Sequence, residues 1–399
     1  MKYIYNVIIR FYKVVILFYS LFNNKALKIH QSQKGLLSKI YNATKHQKDI
    51  VWFHASSLGE YKQGKPVIEL YKIKHPNHKI LLTFYSSSGI ENVSDKNVDF
   101  MFYLPHDTKK NAEYIVKKVQ PIKAIFIKYD FWYNYIRMLY KRNVPIYYIS
   151  CSFRKNQYFF RFYGIWFAKQ LKKVTHFFVQ DDLSSHLLKK INIKNISIVG
   201  DTRIDNVIIN KEIKYRNIII EKFVKNHDTM IAGSTHTKDN NLLVQLYDSL
   251  QDISLKLIIA PHEITDINTI KKLPKAILLS NADLNNIQDY NLLIIDSIGI
   301  LPNIYKYANI AYVGGGFNKN IHNILEPTIY GLPVIFGPNY YKSKEAIEMI
   351  EINIASSINN EKELMKKIKE YKLDNSIKKK CENFFIQRKG ASKKIIKYI

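Results

Sequence analysis

From residue 50 onward, short apolar runs alternate with amphipathic stretches. The runs fall at 51–55, 79–84, 124–128, 145–150, 175–180 and 196–199. Between them lie stretches with helical spacing, such as 108–119 and 131–141. A strand that is apolar along its whole length is covered on both faces, and strands that alternate with helices pair in parallel. The alternation pauses in the polar stretch 211–228 and then resumes. A second set of runs follows at 229–233, 255–260, 276–280, 292–295, 310–313 and 333–336. This pattern predicts an α/β chain with two Rossmann-like parallel-sheet domains facing a cleft, with ligands at the carboxyl ends of the strands. The expected division is 1–24 as an amino-terminal segment, 25–210 and 211–375 as the two domains, and 376–399 as a helical tail.

The amino terminus, YIYNVIIRFYKVVILFYSLF over 3–22, sets a further expectation. Its uncharged core, 14–22, is too short to cross a bilayer. Asn6, Arg10, Lys13, Ser20 and Asn24 fall near one helical face, and aliphatic and aromatic residues fill the rest. That is the pattern of a helix lying in a membrane interface, its cationic face toward the headgroups. Lys25, Lys28, Lys34 and Lys39 favour keeping the following chain cytoplasmic. A buried amphipathic helix is the alternative. The 399 residues carry 61 Lys+Arg against 33 Asp+Glu, a net charge of +28. Part of that is compositional, in a chain rich in Ile, Lys and Asn; the remainder favours anionic partners. Two cysteines exclude a disulfide scaffold and any CxxC site.

Chemistry-bearing residues cluster just after the strand-like runs. His54-Ala55-Ser56-Ser57-Leu58-Gly59-Glu60 places a carboxylate near a helix amino terminus, as a general base or as a first-turn residue complementing the helix dipole. Thr83–Gly89 is a hydroxyl-rich turn that suits phosphate or sugar, or caps a helix. In Lys128-Tyr129-Asp130-Phe131-Trp132-Tyr133-Asn134, Lys128 can stabilise negative charge and Asp130 can orient a partner or cap a helix. Gly200-Asp201-Thr202-Arg203-Ile204-Asp205 offers Arg203 as an anion partner or a salt bridge. In the second half, Gly233-Ser234-Thr235-His236 reads as an anion site at a helix start. Pro261-His262-Glu263 ends a strand. Gly314-Gly315-Gly316 lets backbone approach a ligand. His322-Asn323-Ile324-Leu325-Glu326-Pro327 carries a carboxylate suited to ribose hydroxyls. HExxH, Walker A, GxSxG and a first-strand GxGxxG are absent from the sequence.

Together these motifs resemble the 3-deoxy-D-manno-octulosonic acid (Kdo) transferases of lipid A biosynthesis. The most specific are HASSLGE (54–60), GDTRID (200–205), GSTH (233–236) and GGGFNKNIHNILEP (314–327). The resemblance implies a GT-B glycosyltransferase attached to the cytoplasmic face of a bacterial inner membrane through its amino-terminal segment. It implies inverting, metal-independent transfer from CMP-Kdo to a phosphorylated lipid A precursor (lipid IVA), with no cofactor and no nucleic-acid partner. Glu60 would be the base, with Arg203 and Lys128 as the other catalytic residues. Donor contacts would fall at Ser234, His236, Pro261, His262, Ile298, Gly299, Ile300, Gly315, Asn323, Ile324, Leu325 and Glu326.

Three positions depart from the family's usual pattern. Lys128 stands where an acidic residue is common, His262 replaces an arginine, and Ile300 replaces a glutamate. They keep a second reading open, a GT-B transferase using another nucleotide sugar on a membrane lipid. A basic nucleic-acid-binding protein is disfavoured, because the lysines are spread along the chain without basic-aromatic motifs.

Overall fold

The computed structural model describes residues 2–263 and 267–399. The chain divides into two compact units, Met1–Asn206 with Arg388–Ile399, and Val207–Gln387.

The first unit is built on seven strands: β1 (Ile50–Ala55), β2 (Lys79–Phe84), β3 (Phe100–Tyr103), β4 (Lys123–Ile127), β5 (Ile146–Cys151), β6 (His176–Val179) and β7 (Ile196–Ile198). They form one sheet in the order β3-β2-β1-β4-β5-β6-β7, and every pairing is parallel. β1 is buried along its whole length. Its side chains alternate between two cores, as a period of two requires. Trp52 packs with Phe126, Tyr148 and Phe177 on one face, and Val51 and Phe53 pack with Ile125, Ile149 and Phe178 on the other. The strand order reverses between β1 and β4, which opens a crevice at their carboxyl ends.

The second unit repeats the plan with β8 (Asp228–Thr235), β9 (Leu255–Pro261), β10 (Ala276–Leu278), β11 (Leu292–Ile294), β12 (Ile310–Val313), β13 (Val334–Phe336) and β14 (Ala355–Ser357). Their order is β10-β11-β9-β8-β12-β13-β14, again all parallel. Here the order reverses between β8 and β12. The two parallel sheets expected from the alternation are therefore present. β3 and β14 were not expected; both are short strands at sheet edges.

The helix Lys2–Tyr19 is amphipathic. Its polar edge is turned inward. The Tyr5 hydroxyl donates to Asp107 Oδ2 at 2.7 Å, Asn134 Nδ2 donates to Asn6 Oδ1 at 3.0 Å, and Ser20 is buried. Asp107 also accepts from the backbone N–H of Asn134 and Tyr135, and burial still pushes its carboxyl up to about 7. The apolar face points outward. Tyr3 is 82% exposed, Phe11 67% and Phe22 76%, with Val7, Ile8, Val14 and Phe18 also exposed. Arg10 and Lys13 remain at the surface as expected. Among the described residues no helix is long and apolar enough to cross a membrane.

Residues 388–399 return to the first unit. Ile395, Ile396 and Ile399 join the core beneath β1 and β2. The ring of Tyr398 lies 4.1 Å from that of His176. The Asp205 carboxylate accepts from the N–H of Gly390 and of Ser392, both at 2.6 Å, and so caps the helix Ala391–Tyr398.

Candidate active site

In the first unit the site grows from the carboxyl ends of β1 and β4. Ser57 caps the helix Leu58–Lys74, its Oγ accepting from the Glu60 N–H at 3.4 Å. Glu60 is three residues on. Its Oε2 accepts from the Ser56 N–H at 2.5 Å, one residue ahead of the cap. The dipole-complementing role is therefore met. Yet the carboxyl is pushed up to about 7, first by burial and then by the charge of Asp130. The Ser56 N–H and Lys128 pull the other way without winning. A carboxylate poised near neutrality can both accept and release a proton at physiological pH.

Asp130 is held beside a buried chain of polar groups. Trp52 Nε1–H donates to Thr83 Oγ1 at 2.8 Å, and Thr83 Oγ1 meets His54 Nδ1 at 2.9 Å. His54 Nε2 accepts from Trp132 Nε1–H at 3.0 Å and lies 3.3 Å from Asp130 Oδ2. Trp132, which packs against Tyr85, thus also supplies a donor. His54 and Thr83 are register partners on β1 and β2, which fixes their spacing.

Lys128 turns the chain out of β4 with a φ of 65°. A non-glycine, non-Asn residue in that left-handed region costs roughly 1–3 kcal/mol. Its ammonium sits 5.7 Å from the Tyr129 ring. Glu60, Arg203 and Arg154 also act on the Tyr129 phenol, so this ring marks where those charges converge. Arg154 carried no sequence signal. Arg203 is already engaged: Nη2 lies 2.6 Å from Asp201 Oδ2, and Nε donates to the same oxygen at 2.8 Å. The salt-bridge alternative is present, with Arg203 oriented by its own motif.

In the second unit, β8, β9 and β12 bring their loops together. The Asp239 carboxylate is fully buried and ties two of them. Oδ2 accepts from His236 N–H at 2.9 Å and from Gly315 N–H at 3.0 Å, and Tyr312 donates to Oδ1 at 2.6 Å. The sequence reading missed Asp239. Its place three residues after His236, at the start of the helix Thr237–Asp252, is a capping-box spacing that signals it.

The glycines are also required by the packing of the loops. A Cβ on Gly314 would meet the Ser234 carbonyl at 2.3 Å, and one on Gly316 would meet Gly337 N at 2.6 Å. Gly315 has a φ of +92°. The triple glycine lets backbone pack on backbone, which fixes the shape of these loops. Gly233 likewise admits the Tyr305 hydroxyl, which a Cβ would meet at 2.0 Å.

His236, His262 and His322 converge at these loop ends, and burial with the neighbouring imidazoles pushes His322 down to about 4. Ser234 has a φ of 54°, and Pro261 closes β9. Asn323 Oδ1 accepts from Leu325 N–H at the start of the turn carrying Ile324, Leu325 and Glu326. Glu326 acts on the buried phenol of Tyr305, which places it near Gly233. Ile298 and Gly299 are exposed, and the Ile300 carbonyl is taken by Asn303 and Ile304 N–H.

Residues 31–206 match the sequence model of the 3-deoxy-D-manno-octulosonic-acid transferases (kdotransferases). The matched stretch lies within the first unit. Beyond it the similarity continues. A 3-deoxy-D-manno-octulosonic acid transferase of Aquifex aeolicus is 27% identical over 82% of this chain and 87% of its own length. One from Rickettsia bellii is 24% identical over 85% of this chain and 84% of its own. A bifunctional glycosyltransferase/methyltransferase of Fusobacterium nucleatum is 23% identical over 96% of this chain. This chain spans only 62% of that relative's length. These relatives support a glycosyltransferase, as the motifs implied.

Two solved structures share the GT-B-like fold. The UDP-GlcNAc 2-epimerase of Neisseria meningitidis aligns with TM-score 0.61 at 14% identity, covering 87% of this chain and 98% of its own. A glycosyltransferase of Rickettsia africae aligns with TM-score 0.56 at 13% identity, covering 88% and 98%.

Proposed function

We infer that this chain transfers Kdo from CMP-Kdo to a phosphorylated lipid A precursor of the lipid IVA type, in lipopolysaccharide biosynthesis. The observation that carries this reading is Glu60, a carboxylate raised to about 7, within the stretch that matches the Kdo transferases. Glu60 takes the proton of an acceptor hydroxyl. The freed oxygen attacks the anomeric carbon of Kdo from the face opposite CMP. The bond from that carbon to the CMP phosphate oxygen breaks, and CMP leaves with the electron pair, so the configuration inverts. Lys128, with Arg203 oriented by Asp201, offsets negative charge as it develops. The loops of the second unit hold the donor. Ser234 and His236 face its anionic groups, and the Asn323–Glu326 turn accepts ribose hydroxyls. The transfer uses neither metal nor cofactor.

The acceptor reading has its own support in the first unit. A cavity of about 510 Å³ lies between the helix Lys2–Tyr19 and the following helices. Arg10, Lys13, His30 and Lys34 line it together with Val14 and Leu17. Cations beside aliphatic wall suit a phosphorylated sugar carrying acyl chains. The outward apolar face of the same helix lies in the cytoplasmic leaflet of the inner membrane, where such a lipid is found. Burying one Phe-sized side chain in lipid contributes roughly 1.5–3 kcal/mol, so a handful suffices to anchor the chain.

The test is incubation of the full chain with CMP-Kdo and a tetraacylated lipid A precursor, with products resolved by mass. The expected result is a mass gain of one or more Kdo units, lost in Glu60→Gln. The second reading, another nucleotide sugar as donor, is favoured by His262 and Ile300. It predicts that UDP binds the chain more tightly than CMP, and that no Kdo is transferred.

A further inference from the structure

Three loops of the second unit each deliver one imidazole to the same point. His236 follows β8, His262 follows β9, and His322 follows the triple glycine after β12. Their ring centroids are 4.7 Å (His236–His262), 5.1 Å (His236–His322) and 4.5 Å (His262–His322) apart. One ring nitrogen from each lies within 4.8 Å of the other two. His236 Nε2 and His322 Nε2 are 2.9 Å apart. Zinc–imidazole bonds of about 2.0–2.1 Å in tetrahedral geometry put two ligand nitrogens roughly 3.3 Å apart. The first pair is within a few tenths of an ångström of that spacing. His262 is exposed and free of the core, so rotation of its side chain brings the third nitrogen in.

The backbone beneath these rings is fixed before any ligand arrives. Asp239 holds the His236 and Gly315 N–H groups. His262 N–H donates to the Thr235 carbonyl at 2.8 Å, and His322 N–H donates to the Gly314 carbonyl at 3.1 Å. A Cβ on Gly315 would press on the His322 ring at 2.9 Å. Ligands held by such supporting contacts lose little freedom on binding a cation. The chemistry of the set is also selective. Three imidazoles with no carboxylate grouped with them among the described residues suit zinc and its transition-metal neighbours, whereas magnesium and calcium require oxygen ligands.

We propose that His236, His262 and His322 form a site for one divalent transition-metal cation of the Zn²⁺ class, with the fourth position open to water or an anionic oxygen. The site stands apart from the transfer inferred above, which uses no metal, and it does not depend on that reading. It does use His236 and His262, two of the residues assigned to the donor, so cation and donor contend for the same imidazoles.

The experiment is titration of the chelator-stripped full chain with ZnCl₂ by calorimetry, and with CoCl₂ by visible absorption. The expected result is one Zn²⁺ per chain and the intense ligand-field bands of four-coordinate Co²⁺. His262→Gln and His236→Gln should each weaken Zn²⁺ binding at least about tenfold, since even loss of a supporting contact costs 10–100-fold. His227→Gln, an exposed histidine elsewhere in the unit, should change nothing. His262 is exposed, so its variant keeps its fold, and a melting curve confirms that. Absence of stoichiometric binding by the parent chain overturns the proposal, as does undiminished binding by His262→Gln.

Discussion

Replacing Glu60 with Gln separates two roles that one carboxylate fills. Its Oε2 accepts from the Ser56 N–H, and an amide oxygen in the same place still accepts that bond. That bond is therefore retained while the proton acceptor is lost. General-base catalysis contributes about 10²–10⁴ in rate, which is roughly 2.7–5.4 kcal/mol of barrier. Transfer by Glu60→Gln should fall by that factor. In the parent chain the rate should rise with pH through about 7, where the carboxyl ionises, and level off above 8.

Stability should move the opposite way. Folding raises this carboxyl from 4.5 to about 7, so between those values the folded state holds more protons than the unfolded one. Stability attached to Glu60 is therefore full below 4.5 and is lost as pH rises toward 7. The difference corresponds to about 3 kcal/mol as an upper bound. Gln carries no charge to desolvate, so Glu60→Gln should melt higher than the parent at pH 8 and about equal to it at pH 4.5. Transfer assayed from pH 5.5 to 8.5, with melting curves at both ends, reads all of this. Retention of more than a tenth of the activity, or a flat rate across pH 7, would refute the base assignment. Equal melting at pH 8 would refute the account of why its pKa is raised.

Three further outcomes follow from the packing. Asp205→Ala removes the carboxylate that caps Ala391–Tyr398, and should cost about 1–2 kcal/mol in chemical denaturation; limited proteolysis should then clip the chain near Gly390. Gly316→Ala forces a Cβ against the backbone of Gly337, so CMP binding measured by calorimetry should weaken at least tenfold, together with a lower Tm. Phe11→Glu with Phe18→Glu should leave the melting temperature unchanged, because both rings are exposed. The same pair should reduce co-sedimentation with anionic vesicles more than a hundredfold, from about 3 kcal/mol of lost burial.

Much of the fold was legible because parallel strands are buried on both faces and read as unbroken apolar runs. The run at 310–313 coincides with β12, and 79–84 with β2. β3 and β14 escaped for the same physical reason. They are short edge strands, and Phe100–Tyr103 is only half-buried, so neither needs a long apolar run. The site loops were legible from residue type at strand ends, yet the reasons for individual residues were not. Gly314 and Gly316 read as places for a ligand to approach, and their part in packing backbone on backbone was not visible. For Asp239 the capping-box spacing is legible, but its bond to Gly315, 76 residues on, is not. Periodicity left two readings of Lys2–Tyr19, an interfacial helix and a buried one, since period alone does not say which edge meets the protein. The inward hydrogen bonds of Tyr5 and Asn6 decide it.

The return of residues 388–399 to the first sheet has a consequence for how the chain comes to be folded. When the ribosome has made everything up to Asn206, the first sheet has all seven strands but lacks Ile395, Ile396 and Ile399 from its core. The underside of β1 and β2 then stays partly uncovered while all of residues 207–387 are synthesised. At roughly 5–20 residues per second, that interval lasts on the order of ten to forty seconds. During it the nascent protein leaves that aliphatic surface open to solvent, and the arrival of residues 388–399 closes it.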